Sequence, residues 1–438
     1  MYTYLILEII AWIAGFVAIV VFLEHILKKK SVKTFFKRKW VHIPLIVLII
    51  SIVGAILANR TYTPNFAMPP FMHSMAPGKM APTLPIVNII KFLLDRDDFE
   101  RVKDIGQDPN NVPAPITRKE NAEVKLHITA KEVISEVAPD IYFNFWTFEG
   151  KVPGPMLRVM EGDTILLSFS NDKTSLHSHS IDLHAVSGPG GGAKILSSAP
   201  GETKTLKWKA INPGLYIYHC AFPNVSTHNS HGQYGLILVE PKEGLSKVDK
   251  EFYIVQGELY TEGETGKRGL QVFDSNALID GHPNYVTFNG KIESTPRLHA
   301  KVGEKIRIFV GNGGVNLISS FHVIGAIFDK VNPEGSIGKD STVFKNVQTT
   351  AVLPGGSAIV EFTPREPGQY LLVDHALSRM NLGAWAVLDV TGDVNEDVYS
   401  EVPNPSVLEN SVTKIKETAT TTKKVKSTSS KTKAMEGM

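Results

Sequence analysis

The stretch Asn212-Pro213-Gly214-Leu215-Tyr216-Ile217-Tyr218-His219-Cys220-Ala221-Phe222-Pro223-Asn224-Val225-Ser226-Thr227-His228 holds the only cysteine of a 438-residue chain. A Pro-Gly turn opens it. The apolar and aromatic residues that follow suit a short strand. A lone cysteine forms no intrachain disulfide, but it can give the thiolate of a mononuclear metal site. Two histidines, a cysteine and one weak axial ligand make a blue-copper electron-transfer centre. Neighbours on a strand point to opposite faces, so His219 and Cys220 suit two metals joined by a short stretch of backbone. A buried cysteine beside a structural histidine is the plainer alternative.

Working outward, the turn and strand recur. Asn212-Pro213-Gly214-Leu215-Tyr216 is echoed by Glu366-Pro367-Gly368-Gln369-Tyr370. Val159-Met160-Glu161-Gly162-Asp163-Thr164-Ile165 is echoed by Lys301-Val302-Gly303-Glu304-Lys305-Ile306. Leu176-His177-Ser178-His179-Ser180-Ile181 is echoed by Ser319-Ser320-Phe321-His322-Val323-Ile324, which makes His322 the expected counterpart of His179. One module used twice is therefore expected. With 35 Gly and 26 Pro between short β-branched runs, each copy reads as an all-β Greek-key sandwich or barrel. Only the first copy has a cysteine, so only it can hold a blue-copper site. The net charge of +2 offers no basic field for nucleic acid.

Residues 9–23 (IIAWIAGFVAIVVFL) carry no charge, and residues 41–59 carry only His42 as a titratable group. With their flanks both approach bilayer length. Between them lies KKKSVKTFFKRKW, with seven basic residues and no acid. The positive-inside tendency puts that loop in the cytoplasm and the rest of the chain outside. A two-helix transmembrane hairpin over 1–60, set in a lipid bilayer at the inner membrane, is expected. His25 and His42 fall near the cytoplasmic interface, where a quinol or haem pocket is conceivable but interfacial placement suffices. Residues 61–110 read as a Met/Pro-rich tether plus a short helix over 84–103. Its thioethers suit Cu(I), although a plain spacer explains them. Residues 395–438 read as a disordered basic Ser/Thr/Lys tail.

A second motif, Leu176-His177-Ser178-His179-Ser180-Ile181-Asp182-Leu183-His184, stands beside the cysteine run. On a strand His179 and His184 face opposite ways, and Asp182 shares the face of His184. His179 can join Cys220 and His228 on one side. His184 can join His219 on the other, with Asp182 beside them. Asp374-His375 offers a third imidazole. Three imidazoles with an open position describe a catalytic metal centre. His177 is expected at the surface.

These motifs resemble the copper-containing nitrite reductases over roughly residues 120–392, through SIDLHA, NPGLYIYHCA, GLILVEPKEGL, SSFHVIG and LLVDHA. The short loop from Cys220 to His228 looks most like the branch found as outer-membrane lipoproteins. The resemblance implies cupredoxin modules over 111–245 and 246–394, a homotrimer and two coppers per chain. It implies type 1 copper ligands His179, Cys220 and His228. It implies type 2 copper ligands His184 and His219, with His375 from a neighbouring subunit. Asp182 and His322 fall on the family's catalytic aspartate and histidine, and Ile324 on its isoleucine above the catalytic copper. The implied reaction takes nitrite, one electron and two protons to nitric oxide and water. The electron would pass from type 1 to type 2 copper through Cys220-His219. It would come from an external donor: a cupredoxin, a cytochrome c or a quinol-linked protein.

One position departs from the pattern. The family places an axial Met five residues after the type 1 histidine, where this chain has Gln233. A Gln oxygen is a known alternative axial ligand that should favour Cu(II) and lower the potential. His231 is the runner-up ligand. Two other readings remain open. A multicopper oxidase also uses an adjacent His-Cys pair, but it needs histidines on both sides of the cysteine, and Ala221 follows Cys220. A membrane-tethered electron-transfer or copper-handling protein would bind one copper per chain.

Overall fold

In a computed structural model the described residues are 2–28, short stretches between 42 and 53, Leu94, 99–292, 297–398 and 400–401. Most of the expected tether and tail lies outside them. The first half contributes β1 (Arg101–Val102), β2 (Glu123–Ala138), β3 (Ile141–Phe148), β4 (Leu157–Met160), β5 (Thr164–Asn171), β6 (Asp182–Leu183), β7 (Thr203–Lys209), β8 (Gly214–His219) and β9 (Tyr234–Glu240). The second contributes β10 (Lys250–Leu259), β11 (Gly269–Leu270), β12 (Tyr285–Phe288), β13 (Leu298–Lys301), β14 (Ile306–Asn312), β15 (Ser319–Ile324), β16 (Lys330–Asn332), β17 (Thr349–Val352), β18 (Ser357–Phe362), β19 (Gly368–Asp374) and β20 (Trp385–Thr391). The helices are α1 (Tyr2–Leu27) and the short α2 (Ala193–Leu196), α3 (Val225–Ser230) and α4 (Ser275–Asp280).

Both halves build the same pair of sheets. The first has β3-β2-β5-β7, with β1 on β2 and β11 of the second half on the β3 edge, and β4-β9-β8-β6. The second has β12-β10-β14-β18-β16 and β13-β20-β19-β15-β17. Within each half the inner faces of the two sheets share one apolar core, as in a sandwich. A third core joins the halves, with Leu215, Ile217, Leu236 and Leu238 packed with Tyr253, Val255, Phe309 and Ile359. This explains the composition of the strands. β5 meets one core and alternates buried with half-buried positions. β9 sends Ile237 and Val239 into one core and Leu236 and Leu238 into another, so all seven of its residues are buried. A chain of buried ion pairs also crosses between the halves: Arg158 binds Glu240 and Glu251, and Arg307 binds Glu251 and Glu361.

Two expectations need correction. The segment expected as a helix to residue 103 ends in β1, paired parallel to β2, and Ile105 is fully buried. Residues from 99 onward thus belong to the β-body rather than to a tether. The repeat register also differs from the letter-by-letter match. Asn171 donates to the carbonyls of His177 (2.9 Å) and Ser198 (3.0 Å), and Asn312 donates to those of Leu317 (2.7 Å) and Val352 (3.0 Å). His179 bridges Ser198 as Ser319 pairs with Val352. The counterpart of His179 is therefore Ser319. His322 faces Val373 as Asp182 faces His219, so His322 holds the place of Asp182.

At the N-terminus α1 forms, and the second arm of the expected hairpin is described only in part. Among the described residues no helix is long and apolar enough to cross a membrane.

Candidate metal centres

β8 delivers His219 and, one residue beyond its end, Cys220. The short helix α3 then turns His228 back toward the thiol. The side chains of His179, Cys220, His228 and Gln233 are all buried. His179 Nδ1 lies 3.2 Å from His228 Nδ1, Cys220 Sγ 3.3 Å from it and Gln233 Oε1 3.2 Å from it. Four donor atoms thus close on one point. A tetrahedral ion about 2.0 Å from each nitrogen would hold its ligand atoms about 3.3 Å apart.

The electrostatics favour a soft cation there. Burial pushes the Cys220 thiol up to about 12, against hydrogen bonds from the backbone of Ser180 and Phe222. Burial also lowers the pKa of His179 and takes that of His228 well below its usual value, so both rings are neutral. Neutral imidazoles beside a thiol that needs a cation to ionise are the forms that bind a metal. His231 is buried too, but its Nδ1 bonds the Thr227 carbonyl at 2.7 Å and its ring stacks on Trp146. It is buried rather than exposed, and it lies outside the donor group of His179, Cys220 and His228.

Sequence reasoning missed Glu132. This buried carboxylate accepts from Leu176 N (2.9 Å), His177 N (2.8 Å), His177 Nδ1 (3.0 Å) and His179 Nε2 (3.3 Å). Burial alone would raise its pKa, but the hydrogen bonds of His177 and His179 outweigh that and hold it at about 2. Glu132 thereby fixes the His179 tautomer and leaves Nδ1 free to face the site. His177, expected at the surface, is instead buried between Glu132 and Trp146. The signal was an acid on the face of β2 that carries Ile128, Ala130 and Ile134.

On the other face of β8, Asp182, His184 and His219 form a second group of potential ligands within 4.8 Å of one another. His219 Nδ1 donates to the Cys220 carbonyl (2.9 Å), and His184 donates to the Gly355 backbone. Their Nε2 atoms face each other at 3.0 Å. Two ring lone pairs at that separation are suited to a shared cation. Burial, then the neighbouring His219, lowers the His184 pKa. Asp182 reaches this site because the facing loop has no side chain at Gly191, where φ is +51° and a Cβ would sit 1.7 Å from Asp182 Oδ1.

Among the described residues the group closes without His375. That residue is exposed, with its ring 5.3 Å from that of His322. His322 Nδ1 donates to the Gln348 carbonyl. Ile324, 40% exposed, follows on the same face of β15. The structure thus assembles the residues expected at the second centre as two sets on one chain, with Asp182, His184 and His219 in one and His322, His375 and Ile324 in the other.

Fold and donor sets together define a two-module copper protein of the cupredoxin kind. A multicopper oxidase family model matches residues 134–244. A copper-containing nitrite reductase of Neisseria gonorrhoeae is 51% identical over 294 residues, covering 66% of this chain and 74% of that protein. One from Alcaligenes faecalis is 34% identical over 297 residues, covering 63% and 77%. The solved copper nitrite reductase of Nitrosomonas europaea is 34% identical with a TM-score of 0.55, covering 62% of this chain and 95% of that one. The chain belongs to the copper-containing nitrite reductase family.

Proposed function

We propose that this chain reduces nitrite with one electron and two protons to nitric oxide and water. The observation that carries the proposal is the pair of donor sets set back to back on one strand end. The set His179, Cys220, His228 and Gln233 would hold type 1 copper. The set His184 and His219, completed by His375 of the partner subunit, would hold type 2 copper. Copper, when bound, supplies one-electron redox chemistry at both sites and a Lewis-acid position for the nitrite anion at the second.

The chain's own residues do the rest. Cys220 and His219 are consecutive, so one peptide unit joins the two sites. The Gly355 contact to His184 and the Cys220 carbonyl on His219 turn both Nε2 atoms inward. Asp182 stands beside them to hold a proton against a nitrite oxygen. His322, brought alongside by the same subunit contact as His375, holds the second. Because His375 does not join His184 within one chain, the site calls for a neighbouring subunit, and the resemblance to the nitrite reductases implies that the assembly is a homotrimer. The family model for multicopper oxidases fits the module itself. Among the described residues, Ala221 after Cys220 and the one further donor group give no trinuclear cluster.

The N-terminal anchor belongs to the same proposal. It rests on the apolar runs 9–23 and 41–59 and on the exposure of Ile13 (59%) and Phe16 (69%) on α1. A Cβ at Gly15 would lie 3.6 Å from Leu48 Cδ1, so Leu48 comes against α1 there. Such an anchor holds the modules on the periplasmic face of the inner membrane, within reach of an external donor.

The test is anaerobic turnover of isotopically labelled nitrite by copper-loaded protein with a chemical reductant. Labelled nitric oxide supports the assignment. Oxygen consumption without nitric oxide would turn it toward an oxidase.

A further inference from the structure

We propose that the ion pair Asp374–Arg379 is a positioning device that sets His375 for the type 2 centre. The pair occupies the place that type 1 copper ligands hold in the first module. The inference rests on the reading that His375 completes that centre.

The correspondence follows from matched hydrogen bonds. Ser180 N donates to Cys220 Sγ at 3.4 Å, and Ser320 N donates to Asp374 Oδ1 at 3.1 Å. Cys220 N donates to the Gln233 carbonyl at 3.0 Å, and Asp374 N to the Ala384 carbonyl at 3.2 Å. Gln233 N donates to the His228 carbonyl at 3.4 Å, and Ala384 N to the Arg379 carbonyl at 3.0 Å. Even the carboxylate beneath the site recurs, because Asn316 N and Leu317 N donate to Glu258 as Leu176 N and His177 N donate to Glu132. Ser319, Asp374, Arg379 and Ala384 thus stand where His179, Cys220, His228 and Gln233 stand in the first module.

The second set has no soft donor and carries its own cation. Arg379 Nη1 donates to Asp374 Oδ2 at 2.7 Å and to the Ile318 carbonyl at 2.5 Å. Asp374 is fully buried. Gln256 donates to its Oδ2 at 3.2 Å and accepts from Ser319 Oγ at 2.7 Å. The network brackets His375. The carboxylate accepts from Ser320 N and Ala376 N, both at 3.1 Å, and His375 N donates to the Ser320 carbonyl at 2.8 Å. The backbone is held on both sides while the ring stays exposed. In the first module a metal bound to Cys220 would fix the adjacent His219. In the second, the guanidinium fixes the residue beside Asp374 without a metal.

The experiment compares full-length wild type with D374N/R379Q, R379Q and R379K. The double variant keeps hydrogen-bonding side chains and buries no unpaired charge. Copper titration is followed by the type 1 thiolate absorption, the type 2 paramagnetic resonance signal and thermal unfolding. In D374N/R379Q the type 1 band should persist. Its second-copper affinity should fall about 10–100-fold with an altered type 2 signal, and R379K should recover most of the wild-type signal. A folded double variant with wild-type second-copper affinity and signal would overturn the proposal, whatever its unfolding temperature. Loss of the type 1 band in every variant, R379K included, would also count against it by showing a purely structural role. A wild type that binds only one copper overturns the reading of His375 itself, and is seen before any variant is made.

Discussion

In the proposed ligand set, Gln233 is the single residue that would set the character of the electron-entry site. Its oxygen lies 3.2 Å from His228 Nδ1, where the proposal puts a weak axial ligand. A harder oxygen favours Cu(II) over Cu(I). We expect Gln233→Met to raise the type 1 potential in a spectroscopic redox titration, and an unchanged potential would remove Gln233 from the ligand set. Cys220 makes a pH-dependent claim. Its thiol is held up at about 12, copper binds only the thiolate, and the His179 and His228 rings are already neutral. Binding at neutral pH should release one proton. Type 1 affinity should rise about tenfold per pH unit through the neutral range. Calorimetry in buffers of different ionisation heat reads that proton directly, and copper uptake without proton release would contradict the assignment.

At the scale of elements, the active face depends on a glycine loop as much as on ligands. Asp182 fits against Gly191 only because that residue has no Cβ and takes a left-handed turn. Asp182→Asn should keep both coppers and lose about 10²–10⁴-fold in nitrite turnover. Gly191→Ala should mimic that loss with copper content intact, as read by metal analysis and initial rates on one sample. Near-normal turnover in either variant would remove the proton role. The strands, the doubled module and the split of His219 from Cys220 were legible in the sequence, because alternation and turn residues are local signals. The partner of His179 in the repeat was not. Its match depends on which strand residues face each other, and the letters SSFHVI align one histidine with another at the wrong level. Glu132 was overlooked for a related reason: an acid on a strand reads as solvent-facing until four histidine-loop groups are seen to bond it.

At the scale of the whole molecule, the proposal divides the site between subunits. Chains carrying His375→Ala and chains carrying His184→Ala should each lack type 2 copper alone. Refolded together, they should regain about a quarter of the type 2 sites, since only one ordering of neighbours supplies all three imidazoles in a cyclic ring. No recovery in mixed oligomers would place His375 outside the site. An electron-transfer or copper-handling protein would show none of this, because it needs no second centre. The central claim is that Cys220-His219 joins an electron-entry copper to a nitrite-reducing one. The most direct measurement is to bleach the type 1 thiolate band anaerobically with one equivalent of reductant, then add nitrite while recording nitric oxide. The account expects the band to return with one nitric oxide released per type 1 site. A band that stays bleached in the presence of nitrite, on protein holding two coppers per chain, would contradict it.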